Sequence, residues 1–203
     1  MNNVYMREEM RELWKLFEYS RWYPNIGIEH ILGVNLPIHQ QSMAREIWYH
    51  QDIVNLSSRR CGKTFVSGGV IPMLLCILFD NFKVGIVSPN FRTSGVAFGE
   101  AEKIYENSAL VRALCKREPV HGSGSYRIEF KNGSVIEAAP LGSQGDGLRG
   151  KGYHYIFCDE YAYLSNGESI LNNVLLPMLF TKRTISDNVH PMGSFNRMVI
   201  SST

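Results

Sequence analysis

Apolar positions near the start of the chain return at helical spacing. Met6, Met10, Leu13 and Phe17 share one face, with Arg7, Glu8, Glu9, Arg11 and Glu12 between them, which predicts an amphipathic packing helix. Pro24, Gly27 and Gly33 interrupt RWYPNIGIEHILGVNLP, and HQQSMAREIW predicts a second helix from His39 to Trp48. The pattern then changes. IVNL, Ile53 to Leu56, reads as a short buried strand, and a helix begins at Thr64, weakened or bent by Gly68, Gly69 and Pro72. FKVGIVSP predicts a second strand from Phe82 to Pro89, followed by helix from Gly95 to about Arg117. YRIEF and SVIEA flank Lys131, Asn132 and Gly133, and Asn-Gly between alternating apolar residues signals a hairpin. YHYIFCDE supplies another strand, Ser169 to Phe180 a helix, and MVISS, Met198 to Ser202, a last strand. Strands alternating with helices predict an α/β fold: a mostly parallel central sheet with helices on both faces, plus the β-hairpin and an N-terminal helical segment.

Length and composition narrow this picture without redirecting it. The 203 residues suit one sizeable domain, and 44% hydrophobic with 20% charged residues suits a real core. A formal net charge of +2 makes no case for nucleic acid unless basic residues cluster locally. The apolar run from Ile71 to Phe79 is too short to cross a bilayer, and MNNVYMREEM lacks the pattern of a secretory signal. Cys61, Cys76, Cys115 and Cys158 are scattered, as are the six histidines. Reduced thiols are therefore expected, without a zinc site or disulfide framework.

The chemistry is concentrated in VNLSSRRCGKTF, Val54 to Phe65. A strand that enters a loop and then a helix surrounds a concavity with backbone N–H groups suited to polyphosphate. Gly62 would let the backbone approach, Lys63 would reach the β- and γ-phosphates, and Thr64 would coordinate Mg²⁺. Strictly read, the phosphate-loop pattern fails because Ser57 holds the place of its first glycine. A basic loop with a chance Gly-Lys-Thr is the plainer alternative. The second half of the argument is YIFCDE, Tyr155 to Glu160, an apolar strand ending in two carboxylates. At such a strand end Asp159 would hold the Mg²⁺ shell, and Glu160 would orient and polarise the attacking water. Loop and acidic pair together predict ATP hydrolysis.

These residues resemble a known family. Ser58-Arg59-Arg60-Cys61-Gly62-Lys63-Thr64 is similar to the serine-arginine variant of the Walker A loop in large terminase subunits of tailed bacteriophages. Leu36-Pro37-Ile38-His39-Gln40 resembles the family's adenine-recognising glutamine motif, and IVSPNF, Ile86 to Phe91, its second strand motif. The run up to YIFCDE resembles the family's approach to Walker B, with Leu148-Arg149-Gly150 as its arginine element. VISST resembles the start of motif III, in which Ser201, Ser202 and Thr203 would couple hydrolysis to movement.

The resemblance implies a P-loop NTPase fold of the ASCE/RecA-like class, with Ser58, Arg59, Arg60, Cys61, Gly62, Lys63 and Thr64 around ATP and Mg²⁺. It implies that Gln40 reads adenine, to which a glutamine offers both a donor and an acceptor, although Gln41 adjoins it. It makes Arg59 a cation near the γ-phosphate and Arg149 a residue reaching a neighbouring subunit's site; Arg60 is either a second such cation or solvent-facing. The implied activity is ATP-driven translocation of double-stranded DNA into a procapsid, with the portal protein and small terminase subunit as partners. The chain would form a homo-oligomeric ring on the procapsid and be monomeric alone. It would act in the host-cell cytoplasm and transiently at the portal vertex, with no membrane role. Arg92, Lys116, Arg117, Lys131, Lys182, Arg183 and Arg197 are candidate DNA contacts. Residues 1–50 would form the helical segment with the adenine motif and residues 51–203 the ATPase core, truncated at motif III, without the family's nuclease domain. Two alternatives stay open: the first motor domain of a helicase-like translocase, and a non-hydrolysing ATP-dependent assembly module.

Overall fold

The computed structural model describes residues 2–58, 60–142, 150–179 and 196–202. A seven-stranded sheet runs in the order β1-β7-β6-β2-β5-β4-β3. Its strands are β1 (Asp52–Leu56), β2 (Lys83–Ser88), β3 (Val120–His121), β4 (Tyr126–Glu129), β5 (Val135–Pro140), β6 (Tyr155–Cys158) and β7 (Arg197–Ser202). The five strands from β1 to β5 in that order pair in parallel, and β4 and β3 continue antiparallel. The central strands β2, β6 and β7 are buried along nearly their whole length because both their faces are covered.

One face carries α1 (Asn2–Trp22), α2 (Pro24–His30), α3 (Ile38–Tyr49), α4 (Ile71–Leu78), α5 (Phe91–Asn107) and α6 (Ala109–Leu114). Its core includes Ile31, Trp48, Leu74, Phe82, Phe98, Tyr155 and Phe157. The other face is covered by a helical run from α7 (Gly167–Ile170) to α8 (Leu176–Leu179), packed on Leu141, Ile156 and Ile200. Helices therefore lie on both faces, as the alternating pattern predicts. The N-terminal helices share the core of the sheet: Trp48 Nε1 donates to Arg21 O at 3.0 Å, and the Arg21 guanidinium donates to Leu78 O.

Two local expectations need correction, and two gain detail. β1 is an edge strand rather than a buried one; Val54 and Leu56 are exposed on one face. The helix expected from Gly95 to Arg117 starts at Phe91, capped by Asn90, and breaks at Ser108, whose hydroxyl caps α6. The Asn-Gly hairpin forms as expected around Lys131, Asn132 and Gly133, with Gly133 at φ +83° and Phe130 N bonded to Ser134 O. The helix after Thr64 is irregular where Gly68 and Gly69 sit, in keeping with the expected imperfection. The two glycines lie in a π-helical stretch, Phe65–Val70, that runs into α4, with Pro72 in its first turn. There an added Cβ would meet the Phe157 ring at 3.0 Å from Gly68 and the Glu100 backbone at 3.0 Å from Gly69. The glycines permit the helix to lie directly on β6 and α5.

Candidate nucleotide site

The site is assembled by strand register. Leu56 pairs with Ser202 and Ile200 with Cys158, so β1, β7 and β6 end at one level. Their carboxyl ends carry the Gly-Lys-Thr loop, Ser201 and Ser202, and the Asp159-Glu160 pair. In open α/β sheets this is where ligands bind. The helix behind the loop is held to β6 by the Tyr155 hydroxyl, which donates to Ser67 O at 2.8 Å. A π-helical turn leaves carbonyls off the ordinary ladder, and Tyr155 satisfies one of them.

At the centre, Thr64 Oγ1 donates to Asp159 Oδ2 at 2.9 Å. The Asp159 carboxylate also accepts from Glu160 N at 3.1 Å. Lys63 is buried, and its Nζ donates to Ser57 O at 2.7 Å and Ser202 O at 2.8 Å. The lysine thereby joins the exit of β1 to the end of β7. Burial, then the neighbouring Asp159 charge, pushes the Cys158 thiol up to about 12, which keeps it protonated beside this site.

The loop geometry explains Ser57. Ser57 is not among the described residues with positive φ, whereas Gly62 stands at +85°. The first loop position therefore does not need glycine's conformational freedom, and the last one does. What Ser57 contributes is its carbonyl, which every residue has. Its hydroxyl donates to Asn55 Oδ1 at 3.0 Å and lies 2.9 Å from Cys61 Sγ. Ser57 is not legible as a site residue in the sequence because pattern matching weighs side chains, not carbonyls.

Gln40 reaches the loop from α3. Its Nε2 donates to Cys61 O at 3.2 Å, and a Cβ on Gly62 would lie 2.2 Å from that nitrogen. Gln41 instead donates to Leu36 O, which separates the two adjacent glutamines. Ser58 and Arg60 are exposed, and Arg60 has φ +68°. Glu160 has φ +58° and ψ +36°, a left-handed conformation that costs a non-glycine residue about 1–2 kcal/mol. Such strain is typical of residues held for function. The hydroxyls of Ser201 and Ser202 are buried without a hydrogen-bond partner among the described residues. Arg59, Arg149 and Thr203 lie outside the described residues.

The basic candidates divide. Lys116, Arg117 and Lys131 are exposed and adjoin one another, since Lys116 N bonds Glu129 O and Lys131 N bonds Leu114 O. That places them near the start of β5, at the end of the sheet away from the loop. Arg92 is exposed beyond β2, at the loop end. Arg197 is 1% exposed and serves the interior, so it is withdrawn as a DNA contact. Lys182 and Arg183 lie outside the described residues.

The donor set fits Mg²⁺. Asp159 and Thr64 present oxygen atoms within bonding distance of each other, and Mg²⁺ is commonly held by one or two protein oxygens together with substrate phosphates.

Comparisons with known proteins agree with this architecture. No curated protein sequence matches the chain. In fold it is similar to the large terminase of bacteriophage HK97, at TM-score 0.64 and 12% identity over 84% of this chain and 33% of that one. It also resembles a large terminase from a thermophilic bacteriophage in complex with ATP-gamma-S, at TM-score 0.53 and 13% identity over 83% of this chain and 38% of that one. A variant of the Thermus phage P74-26 large terminase ATPase domain matches at TM-score 0.50 and 16% identity, over 86% of this chain and 83% of that domain. The chain thus spans about a third of the HK97 protein. At these identities the likeness is one of fold. The family model described as terminase large subunit, T4likevirus-type, N-terminal matches residues 54–184, more than half of the chain and the loop and acidic strand end together. The chain belongs to that terminase large subunit family.

Proposed function

We propose that this chain is the ATP-hydrolysing motor domain of a DNA-packaging terminase. The observation that carries the reading is the bond from Thr64 to Asp159, which brings the Gly-Lys-Thr loop and the acidic strand end to one point. The ATP-gamma-S complex of a structural relative supports a nucleotide as the ligand.

Lys63 and the N–H groups of the loop bind the triphosphate. Thr64 and Asp159 hold Mg²⁺, which neutralises phosphate charge when bound. Glu160 orients a water at the γ-phosphate and accepts its proton as the new P–O bond forms. The bridging P–O bond breaks, and ADP and phosphate are the products. Arg59 stabilises charge on the transferred oxygens, and Arg149 supplies a second cation to the adjoining subunit's site.

In this reading hydrolysis drives double-stranded DNA into a procapsid from a homo-oligomeric ring at the portal vertex, in the host-cell cytoplasm. The portal protein and small terminase subunit are its partners. DNA is gripped through phosphates, without sequence preference. The test is steady-state phosphate release with ATP and Mg²⁺, with Lys63→Ala as control. Binding without turnover by the wild-type chain would favour a non-hydrolysing assembly module. No binding would overturn the reading. For Arg149, mixing Arg149→Ala with Lys63→Ala subunits restores some active interfaces if the arginine acts between subunits. No recovery in mixed assemblies removes that role.

A further inference from the structure

Among the described basic candidates Arg197 alone is buried, and its contacts give it a different task. Its Nη1 donates to Ile47 O at 3.0 Å and to His50 O at 2.7 Å. These carbonyls close the C-terminal end of α3, which has no basic residue of its own in its last turn. A cation there meets both the unsatisfied carbonyls and the negative end of the helix dipole. Burial lowers the guanidinium to about 10, with Tyr155 opposing, so it remains charged at neutral pH. The adjoining main chain is tied as well, since Met198 N donates to Gln51 O at 2.9 Å.

The opposite ends of the same two elements meet the phosphate loop. Gln40, near the start of α3, donates to Cys61 O. Ser202, at the end of β7, accepts from Lys63 Nζ. The circuit closes: Lys63, Ser202, β7, Arg197, the end of α3, Gln40, Cys61 and back to Lys63. Lengths agree. From Gln40 to His50 the helix rises about 15 Å at 1.5 Å per residue. From Arg197 to Ser202 the strand covers about 17 Å at 3.3–3.4 Å per residue. Helix and strand are two antiparallel struts of nearly equal length, pinned by Arg197 at one end and by the loop at the other.

We infer that Arg197 is a positioning residue for the nucleotide site: by fixing α3 against β7 it sets where the Gln40 amide meets the loop, and so tunes selection of the base. This rests on the nucleotide reading above, with the adenine role that the family resemblance implies for Gln40, and adds to it a residue remote from the ligand. A shift of the Arg197 end displaces Gln40 relative to Lys63, because neither strut stretches.

Equilibrium binding of fluorescent ATP and GTP analogues to the 203-residue chain tests this, with Arg197→Met, Arg197→Lys and Gln40→Ala singly and in combination. Arg197→Met, of similar bulk, is expected to weaken ATP about three- to ten-fold, in the range of coupled groups in one network. GTP should weaken less, and Arg197→Lys should recover part of the ATP preference. In the Gln40→Ala background, either Arg197 substitution should change ATP binding less than about two-fold. Equal losses with and without Gln40, or equal losses for ATP and GTP, overturn the inference. If Arg197→Met does not fold, the same comparison with Arg197→Lys decides it. Binding by the wild-type chain that is lost in Lys63→Ala upholds the nucleotide reading whatever the Arg197 variants do.

Discussion

Thr64 donates its hydroxyl to Asp159 over 2.9 Å, although 95 positions separate them in the chain. Two things make that contact possible. Parallel pairing of β1, β7 and β6 brings the strand ends level, and Gly68 lets the helix behind Thr64 settle on Phe157. Metal-binding oxygens are thus placed by sheet register and by a missing side chain.

Removing either oxygen should therefore be selective. We expect Asp159→Asn and Thr64→Ala each to lower Mg²⁺-dependent phosphate release by two or more orders of magnitude, while Thr64→Ser retains most of it. Because the hydroxyl binds a carboxylate, Thr64→Ala should also cost about 1.5–3 kcal/mol of stability. Titrating Mg²⁺ at saturating ATP checks the first point and urea unfolding the second. Unchanged Mg²⁺ dependence in Asp159→Asn would remove that residue from the metal.

Glu160 offers a sharper separation of stability from activity. Its left-handed backbone disfavours any residue with a Cβ. Glu160→Gln should leave nucleotide binding intact and abolish turnover. Glu160→Gly should abolish turnover equally, yet gain about 1 kcal/mol of stability by relieving the strain. Thermal melts beside single-turnover hydrolysis distinguish these outcomes. Retained turnover in either variant would exclude Glu160 as the group that activates water.

Much of this architecture was legible in the sequence because its signals are local. The apolar run into Asp159, the hairpin around Asn132-Gly133 and the Gly-Lys-Thr turn each follow from a few adjacent residues. What was not legible depends on partners far along the chain. Ile53–Leu56 reads as buried from its composition, but β1 lies at the sheet edge, and position in a sheet is not encoded in a strand's own residues. Gly68 and Gly69 read only as residues that weaken or bend a helix until Phe157 and Glu100 are placed against them. Ser57 reads as a defect in the loop because its working atom is a carbonyl. Arg197 reads as a surface cation because nothing nearby in sequence reveals its burial.

The glycines give a paired test of packing against propensity. Gly69→Ala would drive a methyl group into the backbone of α5, which cannot rotate away, and should cost about 1–3 kcal/mol. Gly99, inside α5, has nothing within 4 Å of an added Cβ. Gly99→Ala should accordingly gain up to about 1 kcal/mol from helix propensity. Chemical denaturation of the two variants should move the midpoint in opposite directions. Similar destabilisation in both would show that α5 does not sit on the Phe65–Val70 turn as described.

A last expectation concerns acid. Burial by itself would raise the Glu137 carboxyl, but hydrogen bonds from Lys151 and Tyr153 and the charges of Lys151 and Arg127 outweigh it and hold the group below its ordinary value of 4.5. The Lys151 ammonium lies 2.8 Å from Oε1 and the Tyr153 hydroxyl 2.8 Å from Oε2. Because the folded value is depressed, the carboxylate's contribution is complete above pH 4.5 and is lost as pH falls through that lower value. Glu137→Gln removes this ionisation. It should lower stability at pH 7 by about 1.5–3 kcal/mol, the worth of hydrogen bonds to a charged group, and should flatten the acid limb of the stability profile. Melts from pH 3 to pH 7 read both effects. An acid limb as steep in Glu137→Gln as in the wild type would mean that other carboxylates carry it. The Lys151–Glu137 contact would then be a surface pair of little consequence rather than the fastening of Lys151 and Tyr153 to β5.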